Sequence, residues 1–326
     1  MKTKSILVLA MAIVIILTSN IYATNVGGII NTDTTWSLAN SPYILTNDVQ
    51  LAYGATLTIE PNVVISGNGL SIKVWGILDA NGDAESRVVF NNVHIKPGTN
   101  GSSTTPYLIS VKFSEINGGS IYANTGNATY GSLVLQDSIL KDIYKYISLW
   151  YPTSDCYIER NVFDKAGGIS VGVNNGVKVY IRNNVFYQQS TDYAVENWAN
   201  YGSSKVIAEY NSFLSNDRIA LRLEVDGTNI TAINNYWNTT NTSIIDSMIY
   251  DRNDDLAVKG YIVYVPILTE PDPNTPVFVP EPSQPVCLGK PVGDLNGDCK
   301  VNFADFAIMA SSWLECNLVP QSACWE

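Results

Sequence analysis

Apolar and polar residues alternate in short runs along much of the chain, and four of these runs lead into the same kind of triplet. Cys156-Tyr157-Ile158-Glu159, Val179-Tyr180-Ile181-Arg182, Val206-Ile207-Ala208-Glu209 and Ile230-Thr231-Ala232-Ile233 precede Asn161-Val162-Phe163, Asn184-Val185-Phe186, Asn211-Ser212-Phe213 and Asn235-Tyr236-Trp237. Period-2 alternation predicts strands with one buried face. The triplets return at spacings of 23, 27 and 24 residues, which predicts stacked repeats, each one coil of a parallel solenoid.

Alignment on the asparagine puts Cys156, Val179, Val206 and Ile230 in one column and Ile158, Ile181, Ala208 and Ala232 in a second. Both are expected to face the core. Phe163, Phe186, Phe213 and Trp237 form a third stack. The asparagines fall where the strand turns, so they are expected to accept left-handed backbone and to ladder through their amides. Upstream, Ser114 and Ser138 fit the asparagine position, with the register open by one residue. This stretch resembles the right-handed parallel β-helix proteins of the pectate-lyase-like superfamily, including their stacked-asparagine turn. The resemblance implies an all-β fold, and that fold carries lyases, hydrolases, adhesins and inert spacers alike.

The two ends of the repeat region extend the resemblance. Ala55-Thr56-Leu57-Thr58-Ile59-Glu60-Pro61 followed by Gly76-Ile77-Leu78-Asp79-Ala80-Asn81-Gly82 is similar to the opening coils of secreted β-helix proteins, with Asn62 in place of the usual glycine. Asn234-Asn235-Tyr236-Trp237-Asn238-Thr239-Thr240 is similar to their closing segment. A short helix over 244–251 is expected to cap the last coil, since an open solenoid end needs covering.

Lys2 and Lys4 precede the apolar run 6–17, and Ile21-Tyr22-Ala23 offers small-residue cleavage after Ala23. That pattern predicts a signal peptide over 1–23, because the run falls short of the roughly 20 residues that span a bilayer. The expectation is a secreted, extracellular or cell-surface protein with no membrane span after removal of the signal. The net charge of -11 becomes -13 without the two signal lysines. Nucleic acid is then a poor partner and calcium a plausible one. The 19 tyrosines and 7 tryptophans suit a surface that stacks on sugars, and also suit ordinary β-rich composition.

The solenoid is expected over 24–269. Segment 270–285 carries six prolines and reads as a semi-extended linker over 270–286. The module at 287–326 holds the sharpest motif. Asp294, Asn296, Asp298, Lys300, Asn302 and Asp305 occupy positions 1, 3, 5, 7, 9 and 12 of a loop. Side chains, with Lys300 through its carbonyl, supply the all-oxygen set that Ca²⁺ requires. Phe306, Met309, Ala310 and Trp313 recur at helical spacing, predicting a helix with an apolar face after the loop. The stretch resembles one dockerin repeat, which implies attachment to a cohesin-like or cell-surface partner. Dockerins carry two such repeats and this chain has one. Phe303 and Ala304 stand where the cohesin-contacting pair has small hydroxyls, and Cys299 replaces the glycine of loop position 6, which is expected to distort the turn. Cys287, Cys299, Cys316 and Cys324 predict two disulfides with three possible connectivities. Cys156 is left as a buried core thiol.

On the sheet face preceding the asparagine runs, alternation turns Tyr146, Ser148, Trp150, Ser170, Glu196, Trp198, Arg218, Arg222 and Glu224 outward. With about 4.8 Å between coils, Trp150 and Trp198 are expected roughly 10 Å apart across a glycine floor. Tyr146, Trp150 and Trp198 are the candidate sugar-binding residues. The longest repeat inserts 197–203 beside this face. Glu196, Arg218, Arg222 and Glu224 are the candidate catalytic set, with Arg222 the base of a β-elimination on a uronate polymer; an exposed charge pair with no chemistry is the plainer reading. A second outward column, Lys112, Gln136, Glu159, Arg182 and Glu209, reads as a salt ladder. His94 is the single histidine, so the His-assisted hydrolase pattern is missing, and no outward aspartate cluster marks a pectate-lyase calcium site. Three readings follow: a β-helix that recognises polysaccharide, a polysaccharide lyase, or a structural spacer.

Overall fold

A computed structural model describes residues 23–98, 106–123, 131–280, 291–313, 315, 316, 319 and 324. The expected signal peptide, apart from Ala23, lies outside the described residues, as does Cys287. The chain divides into two compact units, 1–278 and 279–326. Among the described residues no helix is long and apolar enough to cross a membrane.

The first unit is a parallel β-solenoid of about nine turns. One face is a ten-stranded sheet, running from Thr34–Trp36 through Cys156–Glu159, Lys178–Arg182 and Lys205–Glu209 to Tyr261–Val263. Each complete coil adds two more strands. Cys156–Glu159 is followed by Val162–Asp164 and Ile169–Val173, and the next coil repeats the order with Lys178–Arg182, Val185–Tyr187 and Tyr193–Asn200. Every strand pairs in parallel with its counterpart one coil away.

The aligned columns are the core. Cys156 pairs with Val179, Val179 with Val206, and Val206 with Ile230, all inward. The aromatic column is longer than the triplets indicate: Ile65, Phe90, Ile116, Leu140, Phe163, Phe186 and Phe213 occupy successive coils. Ring centroids along it lie 4.7 Å (Phe163 to Phe186), 5.3 Å (Phe186 to Phe213) and 4.9 Å (Phe213 to Trp237) apart. Such pairs contribute about 0.5–1.5 kcal/mol each beyond the area they bury.

The asparagines ladder, but they are not the left-handed residues. Positive φ belongs to the residue before each one: Arg160, Asn183, Tyr210 and Asn234 at 54° to 61°. That kink frees the next side chain to turn into the core, where Asn161, Asn184, Asn211 and Asn235 are fully buried. The Asn184 Oδ1 accepts from the Asn161 N–H and Nδ2, both at 3.0 Å, while its own Nδ2 donates to the Ile158 carbonyl at 2.8 Å. Asn211 and Asn235 repeat the scheme. Ser138 and Ser114 continue it: the Ser138 N–H donates to Asn161 Oδ1, and the Ser114 N–H to Ser138 Oγ, each at 3.0 Å. Both serines follow positive-φ residues, Asp137 and Phe113, so the register upstream of Asn161 is settled. Asn62 does adopt φ 61°.

The capping helix is shorter than expected. It spans Thr242–Ser247, with Asn241 as N-cap, and gives way to the strand Ile249–Tyr250. Ile245 and Met248 are buried against the last coil. Part of the proline-rich stretch also belongs to this unit. Asn183 Nδ2 donates to Asp272 at 2.8 Å, Thr275 Oγ1 donates to the Tyr210 carbonyl at 2.8 Å, and Phe278 packs against Tyr187. Residues 271–278 are therefore strapped to the solenoid flank rather than extended away from it.

The second unit contains the loop 294–305 and the helix Phe303–Ser311. Asn302 and Asp305 form a reciprocal capping box. Cys316 and Cys324 are disulfide-bonded, and so is Cys299. Cys299 takes φ 63°, the left-handed geometry a glycine would supply more easily.

Candidate functional site

The outward face of five consecutive strands carries the candidate site. Ile147–Trp150, Ile169–Val173, Tyr193–Asn200, Ile219–Asp226 and Ile249–Tyr250 pair in parallel, and their register places Ser148, Ser170, Glu196, Arg222 and Tyr250 in one row across the coils. Ile147, Leu149, Ile169, Val171, Val195 and Leu221 point inward and anchor that row. An open groove of about 470 Å³ runs along it, lined by Ser148, Ser170, Glu196 and Glu224 with Trp150 and Trp198.

Glu196 faces out of the solenoid yet is only 6% exposed. The Tyr193 and Ser170 hydroxyls both donate to its Oε2, at 2.5 and 2.8 Å. Burial raises its pKa above the usual carboxylate range, and Glu224 pushes the same way, against the two hydroxyl bonds and Arg222. Burial also raises the Tyr193 phenol, and its bond to Glu196 adds to the effect. Arg222 lies over the rings of Tyr193 and Tyr250, 5.8 and 5.2 Å from their centroids. Its guanidinium pairs with Glu224 at 2.5 Å and stands 3.9 Å from Glu196. Arg222 is thus held between two carboxylates and two aromatic faces.

The tryptophans do not flank a 10 Å trough. Their ring centroids are 4.8 Å apart. The reason is a bulge: Val171 pairs with Asn197 and Gly172 with Ala199, so Trp198 has no partner in the ladder. Its ring lies over Gly172, where a Cβ would come within 2.2 Å of it. Glycine at 172 is thus the seat of Trp198 and brings it against Trp150. Tyr151 and Tyr201 complete the cluster, with Tyr151 centroids 4.9 Å from Trp198 and 5.2 Å from Tyr201. The two tyrosine hydroxyls are bonded at 3.3 Å. Tyr201 comes from the inserted 197–203 segment and is 54% exposed.

The other expected residues separate from this centre. Arg218 donates to the Gln189 carbonyl and is absent from the groove lining. Tyr146 stacks on Tyr193 at 4.6 Å, and its hydroxyl accepts the Asp192 N–H, so it supports Tyr193 from the edge. Tyr151, Tyr193, Tyr201, Tyr250 and Asp226 escape the alternation rule because a turn, a bulge or a neighbouring coil places them. One signal was available for two of them: Tyr151 and Tyr201 are 50 residues apart, the sum of one 23-residue and one 27-residue repeat.

On the ten-stranded face, Gln136 donates to Glu159 at 2.9 Å, and Arg182 pairs with Glu209 at 3.4 Å beside the stacked Tyr157 and Tyr180. These are two rungs of the expected ladder; Glu159 takes its cation from the adjacent Arg160 at 3.5 Å rather than from Arg182 one coil on. In the second unit, Asp294 and Asp305 are both 2% exposed. Asp294 accepts the Gly297 and Cys299 N–H groups at 2.7 and 2.9 Å; Asp305 accepts those of Leu295 and Asn302 at 2.7 and 2.8 Å. Asp298 accepts the Lys300 N–H at 2.9 Å, and Asn296 accepts that of Asp298 at 2.9 Å. Among the described residues no three acidic, His or Cys side chains converge at metal distance. The donor set is nevertheless all oxygen, the chemistry a hard cation requires. Comparison with protein-family models, curated proteins and solved structures gives no match.

Proposed function

We propose that this is a secreted, right-handed β-helix protein that recognises polysaccharide through the face built by Trp150, Tyr151, Trp198 and Tyr201. The observation carrying this reading is the four-ring cluster seated beside a groove of hydroxyls and carboxylates. Aromatic faces pack against the C–H faces of sugar rings, and the adjoining oxygens accept from sugar hydroxyls. Right-handed winding accords with the near-universal hand of parallel crossovers.

Elimination through Arg222 has less support, because its guanidinium is engaged by Glu224 and two tyrosines. The dockerin-like module serves attachment to a cohesin-like or cell-surface partner. Asp294, Asn296, Asp298, Asn302, Asp305 and the Lys300 carbonyl would hold Ca²⁺ there, and the ion would supply charge neutralisation of the loop.

The test is depletion of mature protein onto insoluble polysaccharides, with absorbance of unsaturated uronate followed in parallel. Binding without product, lost in Trp150→Ala/Trp198→Ala with the far-UV spectrum unchanged, is the expected result. Unsaturated product would make the protein a lyase, and neither signal would leave a structural spacer. For the module, chelation is expected to lower the melting temperature of the wild type and to leave Asp294→Ala unmoved.

A further inference from the structure

The charge around the groove decides what kind of glycan it takes. The charged side chains lining it are Glu196, Glu224 and Asp226, and no basic side chain lines it among the described residues. Two nearby cations already face carboxylates, and the Arg222 Nε, which has no hydrogen-bond partner among the described residues, is buried out of a ligand's reach. Arg222 is held by Glu224 and the two tyrosine rings, and Lys259 pairs with Asp226 at 2.5 Å. Recognition of a sugar carboxylate calls for a guanidinium or ammonium with donors to offer. Here an incoming carboxylate meets carboxylates instead. The same oxygens are good acceptors for sugar hydroxyls, and the Ser148 and Ser170 hydroxyls stand on the groove floor beside the four aromatic rings.

We infer that the groove binds uncharged glycans and rejects uronate polymers. This rests on the polysaccharide-recognition reading and names its substrate class.

Affinity electrophoresis of the full mature chain tests both levels. The probes are galactomannan, xyloglucan and mixed-linkage β-glucan as neutral polymers, and polygalacturonate and alginate as acidic ones, at 20 and 150 mM NaCl. The expected result is retardation in at least one neutral gel, insensitive to salt and at least tenfold stronger than in either acidic gel. Stronger retardation by an acidic polymer, weakened at the higher salt as charge attraction requires, overturns the inference and leaves polysaccharide recognition standing. Retardation by no polymer overturns the underlying reading as well. A gain-of-binding variant guards against misfolding: Glu224→Gln/Asp226→Asn releases Arg222 and Lys259, and is expected to raise polygalacturonate binding at least tenfold. No gain in that variant, with its far-UV spectrum intact, would also overturn the charge argument.

Discussion

Replacing Asn184 measures what the ladder is worth. In Asn184→Ala the Asn161 N–H loses its acceptor, the Asn161 Nδ2 loses one of two, and the Ile158 carbonyl loses a donor. All of this happens around a fully buried position. A buried group left without a partner costs about 1–3 kcal/mol, and each further lost bond about 1 kcal/mol, so the total is about 3–5 kcal/mol. Asn184→Ser is the informative companion. Serine already serves as a rung at 138, where its Oγ accepts the Ser114 N–H at 3.0 Å. The serine variant keeps the costliest bond and is expected to lose only about 1–2 kcal/mol. The assay is guanidinium unfolding followed by far-UV circular dichroism, comparing midpoints at matched slope, since a solenoid of many coils need not unfold in one step. Equal midpoints for the alanine and serine variants, or an alanine variant within about 0.5 kcal/mol of wild type, would refute the ladder argument.

Gly172→Ala is expected to displace Trp198, because its Cβ would stand 2.2 Å from that ring. Near-UV circular dichroism should change and polysaccharide binding fall at least tenfold, with a stability loss of about 1–3 kcal/mol; an unchanged aromatic spectrum would contradict the proposed seat. Glu196 carries a raised pKa, so its contribution to stability is fully present below the ordinary Glu value of about 4.3 and is lost as pH rises through the native pKa. Glu196→Gln is therefore expected to stabilise the protein at pH 8 more than at pH 4, and a thermal-melt series showing no pH-dependent difference would refute it. Burial pushes the Cys156 thiol up to about 12, and at pH 8 iodoacetamide is expected to label it only after unfolding, as mass spectrometry would report.

Much of this fold is legible in the chain because a parallel stack repeats its environment every coil. Each column must satisfy the same requirement at each rung, so period-2 alternation and the recurring Asn-x-aromatic triplet disclose the core and the ladder without any knowledge of contacts. The serine rungs were legible for the same reason: a short side chain with an acceptor oxygen meets the demand that asparagine meets. The position of the left-handed residue was not legible. Arg160, Asn183, Tyr210 and Asn234 share a conformation but no chemistry, since the constraint acts on backbone shape and leaves the exposed side chain free.

The candidate site was legible only in outline. Alternation names Ser170, Glu196, Trp198 and Arg222 as outward residues, but one bulge moves Trp198 out of the ladder and onto Gly172, halving its expected distance from Trp150. Whether an outward carboxylate is solvated or enclosed likewise depends on which hydroxyls the fold brings to it, here Tyr193 on the same strand and Ser170 one coil before. Residues 271–278 carry prolines that exclude them from a sheet, yet Asn183 and Tyr210 hold them to the flank. The sequence alone determined the repeat, its core columns and the candidate face. Tertiary structure decided which side chains on that face meet, because bulges, turns and straps are set by contacts between coils that no local pattern encodes.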